Sequence, residues 1–149
     1  MRIYLPSVAA ELSGTPSALL AHAVTDALRA ELTDEDDETL EMIALLAAAD
    51  DSVRLVGERG SAAGRTRRVV LAADVPDSDA TPAATGLPTA VELAGPVDWS
   101  DVRAIHVDET DAEGDVAAAA AGDDDAFERV VDLDLLWYDP AERDRILPA

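Results

Sequence analysis

The chain has 149 residues, the size of one domain, and sets 32 acidic residues against 11 basic ones for a formal net charge of −21. That surplus argues against nucleic acid and anionic membrane as partners, since both are held through basic patches. Cys, Lys, Asn and Gln are absent, which excludes disulfides, thiolate metal sites, a cysteine nucleophile and N-glycosylation.

The opening MRIYLP alternates Ile3 and Leu5 with Arg2 and Tyr4, the period of a short strand, and Pro6 is expected to end it. Ser7–Leu12 reads as one or two helical turns with Ser7 as N-cap. Leu19–Val24 is strand-like, and Thr25 caps a short helix through Leu32. Thr33 with Asp36 begins the clearest helix, whose crowded acidic first turn suits the helix dipole. Its pattern runs over Leu40, Ile43, Leu46, Val53 and Val56, with Asp50–Asp51 a point where it breaks and Gly57 as its stop.

A polar, Gly-containing loop spans 58–67. Arg68–Val75 is a near-continuous apolar run, the mark of a central strand. Pro76–Pro88 holds three Pro and reads as a flexible loop. Thr89–Ala94 and Ala104–Asp108 are two further strands, with Asp98 or Ser100 capping a helical turn between them. Asp111–Ala121 and Asp123–Leu133 are helices. Leu135–Tyr138 is a last strand or a helix end, and Pro140–Leu147 a short C-terminal helix or tail.

Leu, Val, Ile and Phe number 36 and Ala 30, enough for a thin core and too apolar for intrinsic disorder. Mixed polar sequence after Pro6 leaves no signal-peptide core, and no apolar run nears the ~20 residues of a membrane helix. A cytoplasmic protein is expected. Asp34–Glu38 and Asp123–Asp125 crowd like charges, and Asp exceeds Glu by 21 to 11, which fits a salt-adapted host, a basic protein partner or plain solubility.

Several stretches together resemble a family of small uncharacterised actinobacterial proteins. They are MRIYLP, AHAVTDALR at 21–29, RRVVLAADVPD at 67–77, AGPVDWSDVRAIHVDETDAEGDV at 94–116 and DLLWYD at 134–139. The resemblance spans nearly the whole chain in order, while the loop at 58–66 and the tail after Asp139 depart from it. It implies a cytosolic protein of a high-GC bacterium and no established activity.

No motif carries a cofactor signature. Gly57–Thr66 (GERGSAAGRT) has glycines misspaced for a phosphate loop, and Arg65 stands where that loop needs Lys. Arg59, Arg65, Arg67 and Arg68 are read as solvated charges offsetting acidic neighbours. Glu109, Asp111, Glu113 and Gly114 match calcium-loop positions in spacing, but residue 120, where the bidentate Glu belongs, is Ala. They are weak metal candidates and better read as an acidic helix start. His106 shares a strand face with Asp108, so a His–Asp general base is the one catalytic candidate. No Ser nucleophile or third ligand accompanies it, and His22 and His106 are both read as structural. Trp99, Trp137 and Tyr138 are expected in the core, and any Trp found exposed becomes the partner-binding candidate.

The expectation is therefore one α+β (or α/β) domain with a mixed four- to six-stranded sheet packed by helices. For function it is a non-enzymatic interaction or regulatory module that meets a basic partner. A small hydrolase-like enzyme using carboxylates and His106 and a nucleic-acid-mimic inhibitor remain as alternatives.

Overall fold

The computed structural model describes residues 1–146. Seven strands make one sheet: β1 (Arg2–Ser7), β2 (Leu20–His22), β3 (Val69–Asp74), β4 (Ala80–Pro82), β5 (Ala90–Leu93), β6 (Val102–Val107) and β7 (Leu136–Tyr138). Their spatial order is β4-β5-β2-β1-β3-β6-β7. The helices are α1 (Asp26–Glu31), α2 (Asp37–Arg59), α3 (Glu113–Ala120), α4 (Asp124–Val131) and α5 (Arg143–Ile146), with short 3-10 turns between elements. The fold is α+β in a single domain. Leu147, the last residue of the expected C-terminal helix, lies outside the described residues.

The sheet departs from expectation in two ways. It has seven strands rather than four to six, and each pairing is antiparallel rather than mixed. The strand that sequence pattern missed is β4, inside the stretch 76–88 read as a flexible loop. Three residues with a proline carry no period. Their strand geometry comes from pairing with β5, Ala80 opposite Leu93 and Pro82 opposite Val91.

Pro6 does not end β1. It sits within the strand opposite Val70 of β3, while β2 meets β1 only at Tyr4 and His22. A residue without an N–H is tolerated where one side of its strand has no neighbour to bond. Ser7 closes β1 rather than capping the following 3-10 turn, and its hydroxyl donates to the Glu11 carboxylate at 2.6 Å.

The alternation read in β1 sorts its side chains to the two sheet faces. Ile3 and Leu5 join Leu71, Ile105 and Val107 in one fully buried cluster, over which Leu12, Val97 and Ile146 close. Tyr4 turns the other way, with Val70, Ala72 and Ala104, against Ala44, Ala48 and Ala49 of α2. Small alanines on α2 bring helix and sheet close.

Helix α2 runs unbroken through Asp50–Asp51. Asp50 is exposed, and Asp51 turns to β2, where it meets His22 Nε2 at 2.6 Å. Gly57 is not the stop either. The helix ends at Gly60, whose φ of 55° is the left-handed region that favours glycine. Gly57 serves packing instead, since a Cβ there would stand 2.7 Å from the Ala120 carbonyl oxygen of α3. Part of the acidic excess works locally: Asp36 accepts from Thr39 N at 2.8 Å, and Asp123 from Ala126 N at 3.0 Å, as N-caps of α2 and α4. The Thr39 amide holds the Asp36 carboxyl below the usual carboxylate range.

Candidate functional site

Where β3 begins and β6 ends, the chain buries a pair of opposite charges. Arg68 is 1% and Asp108 0% exposed. The Arg68 backbone N–H and Nε donate to Asp108 Oδ2 at 2.8 and 2.9 Å, and Nη2 donates to Oδ1 at 2.8 Å. Arg68 Nη2 also reaches the Leu133 carbonyl at 3.1 Å. Arg67, likewise buried, donates Nε to the Asp108 carbonyl at 2.8 Å. Burial of a charge is tolerated only with such pairing and hydrogen bonding. Arg67 and Arg68 are therefore not the solvated charges expected of them. They fix the point where β6 leaves the sheet toward α3 and where Leu133 approaches β7. Arg65 stays exposed against Glu113 at 3.3 Å, and Arg59 pairs with Glu11 at 2.8 Å.

Beside this pair opens a cleft of about 550 Å³. Glu109, Asp111, Asp115, Asp132 and Asp134 line it, with Leu133 and Leu136 as apolar wall. Asp115 bonds Arg129 at 3.0 Å. Glu109, Asp111, Asp132 and Asp134 are exposed, and their carboxylates have no hydrogen-bond or ion-pair partner among the described residues. Asp108 lies behind them, already neutralised by Arg68. The cleft thus gathers four free carboxylates beside apolar side chains, a setting that concentrates negative potential and draws in ammonium or guanidinium groups.

The candidates read from sequence scatter around this cleft. Asp108, Glu109 and Asp111 line it. Glu113 turns away to Arg65, so the calcium-like spacing is not folded into a ligand shell. Among the described residues no group of three His, Cys, Asp or Glu side chains is placed to hold a metal ion. His106 does not engage Asp108, whose two carboxylate oxygens are taken by Arg68. It is half-buried in register with Val70 and Trp137, and burial, then the charge of Arg2, pushes its pKa down. A depressed pKa keeps the imidazole neutral near pH 7.

The other histidine holds the better-ordered set of contacts. His22 Nδ1 lies 2.7 Å from Thr89 Oγ1 and Nε2 lies 2.6 Å from Asp51 Oδ2. Asp51 also takes Arg54 as an ion pair. Burial pushes the Asp51 carboxyl up, but His22 and Arg54 outweigh it and hold the group below the usual range. With Thr89 4% exposed, its hydroxyl is out of reach of a substrate, and the row joins β2, α2 and the start of β5 as structure. The partners are 29 and 67 residues away from His22 in sequence, a separation no local pattern reveals.

The aromatics divide. Trp99 and Tyr138 pack against the main core cluster, and Trp99 donates Nε1 to the Gly14 carbonyl at 2.8 Å, with Arg143 4.1 Å above its ring. Trp137 departs from the core expectation. It sits on β7 with 60% of its surface exposed.

These features describe an α+β protein with its free acidic cleft and its most exposed aromatic on neighbouring parts of the β6–β7 end of the sheet. The chain belongs to the family of unknown function DUF6912, which it matches over residues 1–147. The resemblance to an uncharacterised family agrees with that membership. No curated protein and no solved structure matches the chain. No helix among the described residues is long and apolar enough to cross a membrane.

Proposed function

We propose that the protein is a non-enzymatic interaction module of the cytoplasm that binds a basic protein partner at the cleft between β6, α3 and β7. The observation that carries this reading is the set of four exposed carboxylates, Glu109, Asp111, Asp132 and Asp134, which among the described residues have no cationic partner, beside Leu133 and Leu136. Arginine or lysine side chains of a partner would neutralise them, and the long-range field would speed the encounter. The acid–base reading finds less support, since Asp108 is occupied by Arg68 and, among the described residues, His106 makes no hydrogen bond to a carboxylate.

The test is capture of host proteins on the immobilised chain at ~0.05 and ~0.5 M salt, between which the screening length falls severalfold. A second column carries Glu109→Gln, Asp111→Asn, Asp132→Asn and Asp134→Asn together. The expected partner is basic, elutes by the higher salt and is not held by the fourfold variant. A partner retained at both salts and on both columns refutes the reading.

A further inference from the structure

The sheet ends differently on its two sides. At one edge stands β4, and Pro82 removes a backbone donor from it. At the other stands β7, which has no proline within Leu136–Tyr138 and, among the described residues, has β6 as its single strand neighbour. From Val131 to Arg145 no residue is fully buried, and Asp134, Trp137 and Asp139 stand exposed along and beside β7. An exposed edge presents unpaired N–H and C=O groups, a template for another strand.

The side chains of β7 say what kind of strand fits. Successive residues turn to opposite faces. Leu136 turns to the acidic cleft, which it lines, while Trp137 turns to the face it shares in register with His106. Asp134 and Asp139, both exposed, flank the strand at either end. A second copy of this chain would bring another net −21 to the same place and be repelled. A basic strand meets complementary charge.

We infer that β7 is the docking strand for the basic partner: an extended segment with alternating basic and apolar residues adds to its free edge. The basic side chains fall on the Leu136 side, toward Glu109, Asp111, Asp132 and Asp134. The apolar ones fall over the indole of Trp137, a cross-strand aromatic pairing. Main-chain hydrogen bonds supply affinity, and the alternation supplies specificity. The inference rests on the proposal that the partner is basic, and it adds the binding mode.

The test uses the full chain and two synthetic probes, a peptide of alternating Arg and Val and the same peptide methylated on every backbone nitrogen. Binding is followed by tryptophan emission and by the amide resonances of Leu136, Trp137 and Tyr138. The unmethylated peptide is expected to bind and to shift all three amides. The methylated one, equal in charge but unable to donate, is expected to bind ~10-fold or more weakly, the worth of one or two backbone hydrogen bonds. Trp137→Ala, a surface substitution checked by an unchanged melting curve, is expected to weaken the first peptide alone. Equal binding of both peptides with β7 amides unmoved overturns strand addition and leaves the basic-partner reading standing. Failure of both peptides to bind at ~0.05 M salt, where screening is weak, overturns the two together.

Discussion

Replacing Asp108 by Asn separates two electrostatic effects that point in opposite directions. The substitution removes one negative charge from a chain of net −21, which by itself relieves repulsion and favours folding. Locally it strips the anion from a guanidinium that is 1% exposed and takes three donors from Arg68 down to what one amide oxygen can accept. An uncompensated buried charge costs about 3–5 kcal/mol, so the local loss dominates. For a chain of this size each kcal/mol shifts Tm by ~2–4 °C, and the variant is expected to melt ~6–20 °C lower. Urea unfolding followed by tryptophan emission should show a lower midpoint with an unchanged slope. The double variant Arg68→Met with Asp108→Leu removes both charges and should recover most of the loss, because apolar replacement of a buried pair is often neutral or better. A change below ~0.5 kcal/mol for Asp108→Asn, the scale of an ordinary surface substitution, would refute the buried pair.

Gly57→Ala should lower the melting temperature although Ala is favoured over Gly in a helix by about 1 kcal/mol. The new methyl would stand 2.7 Å from the Ala120 oxygen, and overpacking of that kind costs about 1–3 kcal/mol, so a rise in Tm would disprove the close approach. His106 has a folded pKa below its unfolded value, so the folded state resists protonation there. Its contribution is complete above the unfolded pKa of about 6.5 and is lost as pH falls through the folded value. Urea midpoints measured from pH 7 to pH 5 should fall less steeply in His106→Gln than in the natural chain, and parallel profiles would contradict the assignment. Melting temperature should rise as salt goes from ~0.01 to ~0.5 M, because like charges at Asp34–Glu38 and Asp123–Asp125 become screened. A flat curve would mean that the acidic excess carries no net repulsive strain.

What the sequence made legible follows from where each element draws its stability. Ile3 and Leu5 alternate with Arg2 and Tyr4, and Arg68–Val75 runs apolar, because β1 and β3 lie inside the sheet and both of their faces are constrained. Thr25 announced α1 because a cap acts through bonds only three residues away, here to Leu28 N at 3.1 Å. Long-range partners left no such mark. The pairing of Arg68 with Asp108 spans 40 residues, and that of His22 with Thr89 spans 67, so local pattern placed the arginines in solvent and left His22 without its contacts. Gly57 misled because the same absence of a side chain serves a helix end and a close helix contact equally well. Trp137 misleads because hydrophobicity alone points to the interior, whereas an edge strand leaves one of its faces to solvent. The acidic cleft is half visible in sequence: Asp108 stands out beside His106, and Glu109 and Asp111 as metal candidates, but Asp132 and Asp134 reach them only because β7 returns alongside β6.

The unequal edges of the sheet also bear on assembly. A filament of stacked sheets needs each copy to offer one receptive border and one that inserts, and Pro82 withholds a donor at the β4 border. Edge pairing between copies is therefore disfavoured at β4 by the missing donor and at β7 by like charge.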